Sequence, residues 1–308
     1  MAATPVVGDE ALGSVRAAVD EVLAAYLREC ATDLGRIDAA APMLVDEIAR
    51  LVLAGGKRLR PAFCVWGYRA APGAHGASAP GRAAADGPSA GEPIVRAASA
   101  LELLHTMALI HDDLMDGATE RRGVASSAPF LASQARERGM PGDPERFGRA
   151  AALLAGDLAA VLADRLLLTS GFDPVALARA LAAYHEMRLD MAAGQLLDVA
   201  GLASDPESAL RAARLKGGSY TVEGPLVVGA ELAGAGRGTI DGLRAYGVPL
   251  GVAFQLRDDL HDREGAHGAT SATVNELVRT ARRALPDPRI DPGAAAVLDS
   301  LAQAMAMP

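Results

Sequence analysis

An all-α fold is expected for this chain, and three observations lead there. Half of the residues are hydrophobic while aromatics make up only 4%. Alanine and leucine dominate, whereas strands favour β-branched and aromatic side chains. Apolar residues recur at intervals of three and four over most of the chain, and no run alternates apolar and polar residues with the period of two that marks a half-buried strand.

Taken in order, residues 9–34 place Leu12, Val15, Val19, Val22, Leu23, Tyr26 and Leu27 on one helical face. A second helix opens near Pro42, a residue suited to a first turn, and stops at Gly55-Gly56. A third spans 59–69. Residues 71–92 are Ala, Gly, Pro and Ser with few large apolar groups, which predicts a mobile surface loop. It is not a domain boundary, because helical patterning resumes at Pro93 and runs about two dozen residues. A short helix is expected at 129–138 and a long one at 145–169. Asp173-Pro174 and Asp205-Pro206 read as helix starts. The first of these helices reaches about Val199. The second carries Lys216 and should bend near Pro225. Helices at 239–262, 271–284 and 292–305 complete a single helical domain over residues 1–308 whose central helices are too apolar to face water.

Net charge is −8, so nucleic acid has no electrostatic attraction to this chain. Cys30 and Cys64 form neither a disulfide framework nor a metal-binding spacing, which fits a reducing, cytoplasmic setting. The N-terminus lacks the basic start and apolar segment of a signal peptide. The apolar run from Ala150 is broken by Asp157 and Asp164, and no stretch reads as membrane-spanning. Of the 30 basic residues only Lys57 and Lys216 are lysines. A lysine kept against so strong an arginine bias suggests a use for its compact ammonium.

The helix from Pro93 ends in His111-Asp112-Asp113-Leu114-Met115-Asp116, followed by Gly117 and, shortly after, Arg121-Arg122. Asp112 and Asp116 are one turn apart and share a face. Near a helix C-terminus each carboxylate is disfavoured by a few tenths to about 1 kcal/mol, so a cation is expected to compensate them. Hard oxygen pairs of this kind suit magnesium shared with substrate phosphates, and arginines suit phosphate. Alone, the cluster is equally well a solvated acidic helix end. The pattern returns 146 residues later as Asp258-Asp259-Leu260-His261-Asp262, again closing a long apolar helix beside an arginine. Six carboxylates facing one another would repel in a low-dielectric cleft. Two or three magnesium ions would resolve that repulsion and clamp a diphosphate, making it a good leaving group.

These residues resemble the trans-type isoprenyl diphosphate synthases, or polyprenyl synthetases. The two Asp-Asp-x-x-Asp stretches are similar to that family's aspartate-rich motifs, and Gly55-Gly-Lys-Arg-Leu-Arg-Pro61 is similar to its homoallylic-substrate motif. The resemblance implies an orthogonal bundle of roughly ten or more helices around a central cavity, of the isoprenoid synthase type. It implies metal sites on Asp112, Asp113, Asp116, Asp258, Asp259 and Asp262. Lys57, Arg60, His105 and Arg122 would bind the diphosphate of isopentenyl diphosphate, and Arg121 the allylic diphosphate. Lys216 and Gln255 would hold the leaving group. The family type is commonly dimeric, so a homodimer is expected.

Several readings of the residues stand beside the resemblance. Gly55-Gly56 lets backbone approach an anion, and Lys57 and Arg60 are expected at helical spacing. His105 lies two turns before Asp112, and His111 reads as a partner of the cluster rather than a ligand. Gln195 and Asp198 read either as site lining or as helix-packing polar groups.

Met107 and Ala108 lie roughly 6–7.5 Å below Asp112 at helical rise. Being flexible and small, they would not stop a chain early, which favours the C20 compound, geranylgeranyl diphosphate, with C15 or longer products also open. Three positions depart from the family. Gly217 stands where a threonine or serine usually follows the lysine. Val124-Ala-Ser-Ser127 replaces a Pro-Thr segment. No lysine follows Lys216, so the region 263–308 looks shortened, with Arg263 and His267 as candidate substitutes for a lost lid lysine. Two further functions are therefore weighed: a terpene synthase that ionises a prenyl diphosphate without condensation, and a non-catalytic partner subunit.

Overall fold

The computed structural model describes residues 7–72, 88–121, 123–202, 205–262 and 270–306. The side chains of Asp259, His261 and Asp262 fall outside that description, as do Arg122, Arg263 and His267 and most of the expected loop at 71–92.

The fold is all-α. Its helices are α1 Val7–Ile37, α2 Pro42–Val52, α3 Leu59–Ala70, α4 Pro93–Asp116, α5 Ser127–Glu137 and α6 Pro144–Leu168, then α7 Pro174–Val199, α8 Pro206–Ala213 and α9 Gly224–Leu232. α10 Arg237–Asp262, α11 Ser271–Ala284 and α12 Pro292–Ala306 follow. One cluster of buried apolar side chains draws on every one of them. α4 lies at its centre, packed chiefly on α6, with Val95, Ala97, Ala98, Ala100 and Leu103 fully buried.

Start signals act as their chemistry requires. Asp173 accepts from the N–H groups of Val175 and Ala176 ahead of Pro174. Asp205 forms a capping box with Ser208 ahead of Pro206. Each cap satisfies N–H groups that the helix leaves unpaired. α4 stops at Gly117, whose φ of 64° is left-handed and whose N–H bonds to Asp113 O.

Four expectations need correction. Between α8 and α9 the chain is not a regular α-helix through Lys216. It widens instead into a π-helical segment, π1, at Arg214–Glu223, and Pro225 occupies the first turn of α9, where its missing N–H costs little. Packing explains the widening. A Cβ on Gly194 of α7 would fall 2.3 Å from Lys216 N, and one on Gly251 of α10 would fall 2.4 Å from Gly218 O. π1 is thus pressed between α7 and α10, and π turns recur at functional sites.

Second, a two-stranded antiparallel hairpin exists, β1 Glu120–Arg121 with β2 Val124–Ala125, in register Glu120↔Ala125 and Arg121↔Val124. Two residues per strand are too few to show a period. Third, Lys57 is not on a helix. α3 begins at Leu59, and Arg58 before it is left-handed with φ 52°, which breaks the helical spacing from Lys57 to Arg60. Fourth, α4 is long and apolar enough by length and composition to cross a membrane, although 67% of its apolar window is buried inside the fold. A core helix walled by other helices needs the same apolar surface as a membrane span.

Candidate active site

The site is built on the last three turns of α4. His105, Ala108, Leu109 and Asp112 are half-buried and Asp116 is exposed. At spacings of three and four these residues form one stripe, so the central helix is open along this line. Met107 lies off the stripe and packs against the core.

At the acidic end, the protein's own cations do the compensating. Arg121 returns from β1 and grips Asp113, with Nε 2.9 Å from Oδ1 and 3.1 Å from Oδ2. Its Nη2 reaches Asp112 Oδ2 at 3.4 Å. Gly123, with φ 79°, lets the hairpin make this return. Asp113 is buried and both of its oxygens face Arg121.

On the other side Lys216 pairs with Asp198 and lies 3.6 Å from Asp112 Oδ1. Gln195 Nε2 donates to the same oxygen at 2.9 Å. Gln195 and Asp198, open to two readings in the sequence, are therefore both at the acidic cluster. Burial works against the Lys216 ammonium, but Asp198, Asp112 and Asp116 outweigh it and hold the group above the usual lysine value. Asp116 is pushed above the ordinary carboxylate value by partial desolvation and by the Asp112 charge beside it.

Two carboxylates one helical turn apart are a donor pair that a divalent cation would bridge. Asp112 and Asp116 therefore fit a magnesium ion, whereas Asp113 is committed to Arg121. Among the described residues no group of three His, Cys, Asp or Glu side chains is gathered closely enough to hold a metal. Asp258 is half-buried on α10, three residues beyond Gln255. Gln255 lies against π1, since a Cβ on Gly217 would come 1.8 Å from Gln255 Oε1. The space a threonine or serine would take at position 217 thus holds the Gln255 amide.

A second polar cluster sits two turns down the stripe. Tyr220 Oη lies 2.7 Å from His105 Nδ1. Arg60 Nη2 donates to Tyr220 Oη at 2.7 Å and to Thr221 Oγ1 at 3.0 Å. The guanidinium carbon lies 4.2 Å from the Tyr220 ring centroid, close enough for a cation–π contact. Burial raises the Tyr220 hydroxyl above its ordinary value, so it stays protonated and can donate to His105. Arg60 Nε is buried with no partner. An unpaired buried donor costs free energy that an incoming anion would recover. Lys57 is exposed in the loop ahead of α3.

Tyr220 and Thr221 were not singled out in the sequence. The available signal was an aromatic one helical turn beyond Lys216 in a chain with five tyrosines. His111 packs against Gly156 of α6, with Nε2 3.3 Å from Leu153 O, and stays beside the site.

An all-helical bundle with an acidic cluster above a basic one defines the class of protein. A profile of the polyprenyl synthetase family matches residues 42–274, and the chain belongs to that family. It is similar to a geranylgeranyl pyrophosphate synthase from Corynebacterium glutamicum, solved with isoprenyl diphosphate and magnesium. That structure aligns with a TM-score of 0.84 at 28% identity over 96% of this chain and 99% of the other. The farnesyl diphosphate synthase of Geobacillus stearothermophilus is 29% identical over 84% of this chain and 76% of its own length. A putative chloroplastic geranylgeranyl pyrophosphate synthase 8 of Arabidopsis thaliana is 29% identical over 82% of this chain. The chain spans 62% of that plant relative and 54% of the heterodimeric large subunit from the same plant.

Proposed function

We propose that this protein is a magnesium-dependent prenyltransferase that condenses an allylic diphosphate with isopentenyl diphosphate to give a longer trans-prenyl diphosphate. The observation that carries this reading is the pair of polar subsites two turns apart on α4. Asp112 and Asp116 with Lys216 form one, and His105, Tyr220 and Arg60 with its unpaired Nε form the other. A chain that only ionised a prenyl diphosphate would have no use for the second. The similarity to geranylgeranyl and farnesyl diphosphate synthases supports the same reading.

In this mechanism Asp112 and Asp116, joined by Asp258, Asp259 and Asp262 of the second motif, would hold magnesium. When bound, the metal neutralises charge on the departing diphosphate. Asp113 anchors Arg121, which with Lys216 and Gln255 receives that diphosphate. Arg60, Lys57, His105 and Arg122 hold isopentenyl diphosphate with its double bond toward the allylic carbon. The allylic C–O bond breaks with its electron pair leaving on the diphosphate. The isopentenyl double bond then attacks the cation, and a proton passes to the released diphosphate. Ala108 and Leu109, between the two polar subsites, give the cation an apolar wall.

Purified protein, magnesium and an allylic diphosphate, with and without isopentenyl diphosphate, test the reading. Elongation that requires isopentenyl diphosphate is expected. Hydrocarbon or alcohol released without it would favour a terpene synthase instead, and turnover only after a second chain is added would favour a partner subunit.

A C20 product is supported by Ala108, which lies on the open stripe one turn below Asp112 and is small enough to admit a long chain, with C15 or longer products as the alternatives. Ala108→Phe places a ring there and should shorten the main product, read by mass spectrometry of the dephosphorylated prenols. An unchanged profile would remove Ala108 from the product wall.

A homodimer is supported by α6. Leu154, Val161 and Leu168 are 55%, 60% and 50% exposed and recur every seven residues, an apolar stripe suited to a partner helix. Val161→Asp should convert a dimer into a folded monomer by light scattering, and an unchanged mass would exclude this face. Both cysteines are buried free thiols, which supports a cytoplasmic, reducing setting.

A further inference from the structure

Arg58 is the only non-glycine residue with a positive φ among the described residues. It precedes α3 at φ 52°, ψ 40°, a conformation in which an L side chain is strained. Its surroundings account for that conformation. The residue is 4% exposed. Nε donates to Asp20 Oδ1 at 2.8 Å, Nη1 to Glu102 Oε2 at 2.8 Å and Nη2 to Val52 O at 2.6 Å. One guanidinium therefore ties the loop between α2 and α3 to α1, to the end of α2 and to α4. Its attachment to α4 lies one turn before His105. Lys57 is its immediate neighbour and Arg60 follows two residues later. The strained turn and its clamp thus stand between Lys57, Arg60 and His105, three of the four residues assigned to one diphosphate.

We infer that Arg58 is a positioning residue for the isopentenyl diphosphate subsite. It holds the left-handed turn that sets Lys57 and Arg60 in register with His105, and does so from the interior without touching substrate. The inference rests on the proposed assignment of Lys57, Arg60 and His105 to that diphosphate. A planar fork with three separate acceptors is what the geometry uses, so lysine is not an equivalent.

The clamp can be loosened from its acceptors. Asp20→Asn and Glu102→Gln each weaken one arm with little change of shape. Asp20 is 41% exposed, so Asp20→Asn remains informative even if Glu102→Gln fails to fold. In two-substrate kinetics both variants, and Arg58→Lys, should raise KM for isopentenyl diphosphate by about five- to tenfold or more. KM for the allylic diphosphate and the magnesium dependence should change less than about twofold. A purely structural strut would lower thermal stability and leave the ratio of the two KM values unmoved, which would overturn the inference. So would equal increases in both KM values. If the wild-type chain elongates nothing, the functional reading fails and takes this inference with it. That result is distinct from an active wild type whose Asp20→Asn variant is kinetically unchanged.

Discussion

Asp112→Asn should reduce prenyl transfer by about 10²–10³-fold, the usual cost of losing one preorganised charge-stabilising group, while leaving the fold intact. The Asp112 oxygens face Arg121, Lys216 and Gln195, and the residue shares a helical face with Asp116. The amide keeps the shape and loses the charge that a divalent cation requires. Stability should fall by about 1 kcal/mol or less, because the lost pairing with Arg121 and Lys216 is offset in part by removing a charge that opposes the helix dipole. Kinetics at saturating magnesium, paired with urea denaturation, separate the two effects. A variant with near-normal turnover would remove Asp112 from the metal site.

Arg58→Met should give the largest loss of stability. Glu102 is 5% exposed and Arg58 Nη1 lies 2.8 Å from its carboxylate. Removing one member of a buried pair and leaving the other charged costs about 3–5 kcal/mol. A double variant, Arg58→Met with Glu102→Leu, should regain most of that loss, because an apolar pair of similar volume often matches a buried ion pair. Asp20 keeps contact with solvent and needs no replacement. Urea unfolding of the two variants and the wild type checks both statements. A single variant as stable as wild type would mean that the guanidinium contributes little at this junction.

The helical layout was legible in the sequence because its start and stop signals are local. Pro42, Pro93, Asp173-Pro174 and Asp205-Pro206 act through the chemistry of their own turns, and Gly117 ends α4 through its own φ. Two aspartate motifs at the ends of two apolar helices were legible for the same reason. What could not be read is tertiary in origin. π1 is shaped by Gly194 and Gly251, which let α7 press on the backbone of Lys216 and α10 on that of Gly218, residues far apart in the chain. The return of Arg121 to Asp113 depends on a hairpin too short to have a pattern. Tyr220 joins Arg60 to His105 only because π1 brings residue 220 beside α3 and α4. Arg58, placed inside a motif read for its phosphate-binding neighbours, turned inward to carboxylates on α1 and α4. One position of that motif is committed to packing, while Lys57 is exposed and Arg60 turns to Tyr220 and Thr221.

Binding experiments probe the central claim, two separate diphosphate subsites on one helix, more directly than turnover does. Calorimetric titration with isopentenyl diphosphate and with a non-ionisable allylic thiolodiphosphate would be run with and without magnesium. Two independent sites are expected. Allylic binding should require magnesium and be lost in Asp112→Asn. Isopentenyl diphosphate binding should persist without the metal and weaken in Arg60→Ala. Competition between the two ligands for a single magnesium-dependent site would contradict that claim.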